Sequence, residues 1–156
     1  MEQNAKRWSE AKAIEADHGL AVCDTDPFKL HYAYSLWKLG ELSLAQWEFE
    51  LALHRDLFAS GELGLADLNL VSLPDLETLR AQKDGDDSRA RRSFELHVKL
   101  GPHLERWYST IERLEPERVV WNFPEMHVNS HFEYLAPRTE RSGVEQFDQL
   151  IVELLR

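Results

Sequence analysis

Asp24 and Asp26 stand directly after the apolar run Leu20 to Cys23, flank Thr25, and are followed closely by Pro27 and Lys29. Carboxylates at the tip of a buried strand can hold Mg²⁺ through water, or accept a proton from a substrate hydroxyl during phosphoryl transfer. The same pair also suits a structural role: aspartate caps helices and stabilises the positive end of the helix dipole, and Pro27 suits a helix start. Lys29 reads either as a phosphate ligand or as a solvated surface lysine.

A second group is cationic. Arg89, Arg91 and Arg92 follow Arg80 and Lys83 in an otherwise acidic chain. Guanidinium groups bind phosphoryl oxygens bidentately and neutralise charge on a transferring group. The alternative is an exposed helix start whose arginines pair with Asp84, Asp86, Asp87 and Glu95. A third group, Glu125, His127 and His131, has two histidines four residues apart, but the order is not H-E-x-x-H and a proline precedes it, so a structural role is the better reading. Nothing signals a nucleophilic serine, and Cys23 lies in an apolar run, where burial would raise its pKa. No glycine is followed by lysine, so G-x-x-x-x-G-K-[ST] is missing, and G-x-G-x-x-G is missing too.

These residues need elements to position them. Residues 4 to 17 are rich in helix formers and Gly19 is a natural stop. The run Leu20 to Cys23 does not alternate, which predicts a central strand buried on both faces. Apolar and aromatic positions from Phe28 to Leu39 recur at helical spacing, and Gly40 ends that segment. Ser43 and Gln46 have capping-box spacing, predicting a helix to about Ser60. A strand over 67 to 73, a helix opening at Pro74, a helix over 96 to 114 and a strand over 118 to 123 follow. Ser142 and Glu145 repeat the capping-box spacing before a closing helix.

Three short apolar strands separated by helices predict an α/β fold: a three-layer parallel sheet flanked by helices, formed by a single domain over residues 1 to 156. Its strand ends, "CDTDP", "SLPD" and "WNFPE", would share one edge, where open α/β sheets bind ligands.

Composition narrows the partners. The 28 acidic and 18 basic residues give a net charge of −10, which disfavours nucleic acid. Apolar residues make up 43% of the chain, enough for a core without disulfides, and the single cysteine fits a reducing, cytoplasmic setting. No uncharged apolar run approaches the ~18 residues needed to cross a membrane.

Taken in order, "CDTDP", "KLHYAYSLW", "LPDLETLRAQKDGD", "SRARRSFELH" and "RVVWNFP" resemble the P-loop nucleoside and nucleotide kinases. The likeness is greatest to AAA-labelled ATPases related to uridine and thymidylate kinases, and it covers roughly residues 5 to 155. It implies ATP and Mg²⁺ as cofactors and phosphoryl transfer to a small acceptor. Asp24 would be the catalytic and metal-organising carboxylate, with Asp26 and Lys29 beside it. A lid at about 83 to 97 would bring Arg89, Arg91 and Arg92 over the phosphates, and Trp121 and Pro124 would lie near the adenine. The family's first strand and phosphate loop would precede residue 1, so the chain corresponds to the C-terminal two-thirds of such a kinase. The alternative is a non-enzymatic interaction module: aromatic helices around Tyr32 to Trp47 could expose a flank that favours a homo-oligomer or a partner protein.

Overall fold

Alanine, glutamate and lysine dominate the first eighteen residues, and in the computed structural model they form helix α1, Glu2–His18. The structure describes residues 2–84, 94–122, 137–138 and 140–156. Gly19 ends α1 at φ +77°, in the left-handed region that glycine enters without steric cost, and its N–H donates to the Glu15 carbonyl at 2.7 Å.

The next segment corrects the sequence reading. Leu20 to Cys23 is irregular and open to solvent: Leu20 is 50% and Val22 is 74% exposed, and Cys23 is exposed as well. A strand needs a neighbour for its N–H and C=O groups. Among the described residues no backbone hydrogen bond joins this run to another segment, so its apolar character secures neither a ladder nor burial.

Local signals elsewhere succeed. Helix α2 is Leu30–Lys38 and α3 is Leu44–Ala59. Ser43 and Gln46 form the expected capping box, side chain to backbone in both directions. Strand β1, Asn69–Val71, leads to α4, Leu76–Asp84, which is capped by Asp75 through a 2.7 Å bond from the Thr78 N–H. Helix α5 is Phe94–Leu114, β2 is Val119–Trp121, and α6 is Val144–Leu155. The second capping box does not form. Gly143 takes the cap position of α6, and the Ser142 hydroxyl instead donates to the Leu63 carbonyl at 2.6 Å.

The three-layer α/β sheet expected from the sequence is likewise not formed. Among the described residues six helices accompany one parallel pair of three-residue strands, with Asn69 opposite Val119, Leu70 opposite Val120 and Val71 opposite Trp121. So small a sheet cannot keep two helical layers apart, and the helices pack on one another instead. Phe28, 1% exposed, sits where α2, α3, α5 and α6 meet. Its ring centroid lies 4.8 Å from Phe58, 5.6 Å from Trp107 and 5.8 Å from both His54 and Phe147. Tilted rings at these separations add to the burial of apolar area, itself about 25 cal/mol per Å². A P-loop kinase architecture is therefore absent from the described residues. Nor is any described helix long and apolar enough to cross a membrane.

Candidate functional site

The α1 residues Trp8, Ala11, Lys12 and Glu15 follow i, i+3, i+4, i+7 spacing and so share one face of the helix. That face forms one wall of a cleft of about 480 Å³. Residues 19–27 form a second wall and Ala66 to Leu70 a third, with Tyr108, Pro137 and Arg141 completing the lining.

Arg141 holds the walls together. Its guanidinium donates to Glu15, at 2.7 Å for the longer of two bonds, and to both carboxylate oxygens of Asp67. Asp67 also accepts from the Arg138 backbone N–H at 2.7 Å. The hydrogen bonds from Arg141, helped by its charge, keep the Glu15 carboxyl below its ordinary value, and the hydrogen bonds to Glu15 and Asp67 with their charges raise the guanidinium pKa further. Gly64 lies beside this junction because a Cβ there would meet the Trp8 ring at 2.5 Å and the Arg141 carbonyl at 2.7 Å.

Asp26 is the most perturbed acid of the site. Its carboxylate accepts from the Phe28 N–H at 2.8 Å, an Asx turn around Pro27 rather than a cap, because α2 opens only at Leu30. His31 Nδ1 stands 4.0 Å from its other oxygen, and the side chain is 12% exposed. Burial pushes this carboxyl up to about 7 against the pull of the Phe28 amide and Lys29. Burial also holds His31 down to about 4, so the imidazole is neutral at neutral pH. Tyr108 is raised by burial and by the charge of Asp26, and Cys23 is raised for the same two reasons. No ammonium or guanidinium lies within ion-pair distance of Asp24 or Asp26 among the described residues.

The edge of β1 gives the cleft its character. Asn69 donates to the Arg118 carbonyl across the pair at 2.9 Å, so odd positions of β1 face β2 and the N–H and C=O groups of Leu68 and Leu70 point away from it. Leu68 and Leu70 line the cleft, and no backbone bond reaches either of them among the described residues.

Of the residues singled out by sequence, Asp24 and Asp26 come together in this cleft. Lys29 occupies the cap position of α2, outside the lining, and reaches Asp26 only through its charge. Trp121 is held away from the cleft by its indole N–H, which donates to Glu112 at 3.0 Å. Because β1 and β2 run parallel, the ends that carry "SLPD" and Trp121 do share one edge, but "CDTDP" follows no strand, and Asp75 borders a separate shallow depression with Glu77, Thr78 and Ala81 rather than the cleft. Arg89, Arg91, Arg92 and Pro124 lie outside the described residues, as do Glu125, His127 and His131. Within the expected lid, the described ends belong to α4 and α5, where Lys83 Nζ lies 4.5 Å from the centre of the Phe94 ring. Sequence reasoning missed Glu15, Asp67, Tyr108 and Arg141. Only the helical spacing of Trp8 and Glu15 hinted at a shared face. Among the described residues no three of His, Cys, Asp or Glu converge in a way that could hold a metal ion. No protein-family model, curated protein or solved structure matches the chain.

Proposed function

We propose that this chain is an interaction module that binds an extended polypeptide segment in the cleft, adding it as a strand along β1. The observation that carries the reading is the edge at Leu68 and Leu70, which is unpaired among the described residues and borders a cavity of about 480 Å³. Leu20 to Cys23 lines the same cleft, a segment whose apolar sequence suits a strand and whose backbone has no partner among the described residues. A strand laid between them would satisfy the N–H and C=O groups of Leu68 and Leu70 and bury Leu20 and Val22. Strand addition of this kind draws affinity from main-chain bonds and specificity from the side chains on either face.

The charge of the site bears on the ligand. Two bases, Lys12 and Arg141, stand against four acids, Glu15, Asp24, Asp26 and Asp67, and Arg141 is already engaged by two of these. Such a balance disfavours a triphosphate, the ligand of the phosphoryl transfer that the resemblance implies.

The test is a titration of the protein with eight-residue peptides of alternating valine and threonine, followed by amide hydrogen exchange. Binding with saturable slowing of exchange at Leu68 and Leu70 is the expected result. Leu70→Pro should abolish it, because this substitution removes an N–H that faces the cleft and not β2. Unchanged binding by Leu70→Pro would overturn the proposal. So would failure of every peptide, or Mg-ATP binding the cleft with micromolar affinity, which would favour phosphoryl transfer instead.

A further inference from the structure

The cleft has a charge pattern that selects among extended segments. Glu15 and Asp67 share the single positive charge of Arg141, whereas Asp24 and Asp26 have no basic partner within ion-pair distance among the described residues. Asp26 is faced from the turn before α2 by the Phe28 N–H, from α2 by the neutral His31, from α5 by the Tyr108 ring, and from its own segment by Cys23. Lys29 acts on it only at longer range. A carboxylate so enclosed is incompletely solvated and gains most from a cation that brings its own hydrogen-bond donors. Asp24, exposed on the same wall, adds to the field without needing a partner.

Resting on the strand-addition reading above, we infer that the segment bound in this cleft is basic, and that a lysine or arginine of that segment is received by Asp26 with Asp24 beside it. The pattern is complementary in two respects. The bound main chain meets the edge of β1, and one side chain that points from the strand toward residues 24–26 meets two carboxylates with no cation within ion-pair distance among the described residues, the nearby Arg7 of α1 donating to the Thr25 hydroxyl at 3.1 Å instead. An acidic segment would be repelled by both aspartates, and a neutral one would leave them unsatisfied. Bringing a cation to Asp26 also favours its ionised form, so binding of a basic segment releases a proton wherever the free carboxyl is protonated.

The experiment uses three octapeptides of alternating valine and threonine that carry lysine, glutamine or glutamate at one central outward position. The lysine peptide should bind about tenfold more tightly than the glutamine peptide, and the glutamate peptide more weakly than either, with the differences shrinking at high salt. Asp26→Asn keeps an oxygen for the Phe28 N–H, and it should remove the preference for the lysine peptide over the glutamine peptide. Asp24→Asn, at an exposed position, should reduce the preference only in part. For the unmodified protein, affinity for the lysine peptide should rise from pH 6 to pH 8, and this rise should vanish in Asp26→Asn. Equal binding of all three peptides would sink the inference and leave the strand-addition reading standing. An unaltered preference in Asp26→Asn would also sink it. Failure of all three peptides would instead remove the reading on which it rests.

Discussion

Asp26 and His31 depart from their ordinary pKa values in opposite directions, and both do so because they are buried. The raised carboxyl favours the folded state fully below its ordinary value, and that contribution is lost as pH rises toward 7. The depressed imidazole favours the folded state fully above about 6.5, and its contribution is lost as pH falls toward 4. From pH 4 to 6.5 the two slopes oppose each other, because the pair carries about one proton whether the chain is folded or not. Asp26→Asn removes one slope and exposes the other. Urea denaturation should therefore show the variant gaining on the parent protein by about 1.4 kcal/mol per pH unit from 4 to 7. At Gly64 the question is space. A methyl group there would be driven against the buried Trp8 ring and the Arg141 carbonyl, so Gly64→Ala should cost about 1–3 kcal/mol. Thermal unfolding measures that loss, and a neutral result would mean that α1 can move away from the cleft wall.

Helices and strands here differ in what they need from the rest of the chain. Helix α3 carries its own start signal, and Ser43→Ala should lower stability by about 1 kcal/mol through loss of the capping box. A substitution pair distinguishes the two edges of β1. Val71→Pro removes an N–H that faces β2 and should be costly, about 3 kcal/mol or more, whereas Leu70→Pro acts on the open edge and should cost much less. Comparable losses in circular-dichroism melts would show that the Leu70 N–H is not free. At this scale the sequence was largely legible. The helices at 2–18, 44–59, 94–114 and 144–155 and the strands at 69–71 and 119–121 all fall where periodicity and end signals placed them. Leu20 to Cys23 was misread for a physical reason: a continuous apolar run is compatible with a buried strand but does not supply the neighbouring strand that would bury it.

For the whole molecule, stability centres on the aromatic cluster where four helices meet, with a second centre at the Glu15, Asp67 and Arg141 junction beside the cleft. Phe28→Ala should cost about 3–5 kcal/mol, since the ring touches Phe58, Trp107 and Phe147 and no neighbouring helix can fill the space alone. Arg55 and Asp148 also join α3 to α6 through two 2.8 Å bonds, but both are about half exposed, and breaking that pair should change stability by less than about 1 kcal/mol. Chemical denaturation of Phe28→Ala and Arg55→Ala would rank the two. The acidic balance of the chain, the identity and ends of most helices, and the candidacy of Asp24 and Asp26 were determined by the sequence itself, because these depend on composition or on residues within a turn or two of one another. Only the tertiary structure decided that the helices pack together around a two-stranded pair, that Arg141 ties Glu15 to Asp67 across 126 and 74 positions, and that the edge of β1 opens into a cleft. Helical hydrogen bonds close within four residues, whereas a strand, an ion-pair junction and a cleft exist only when distant segments meet.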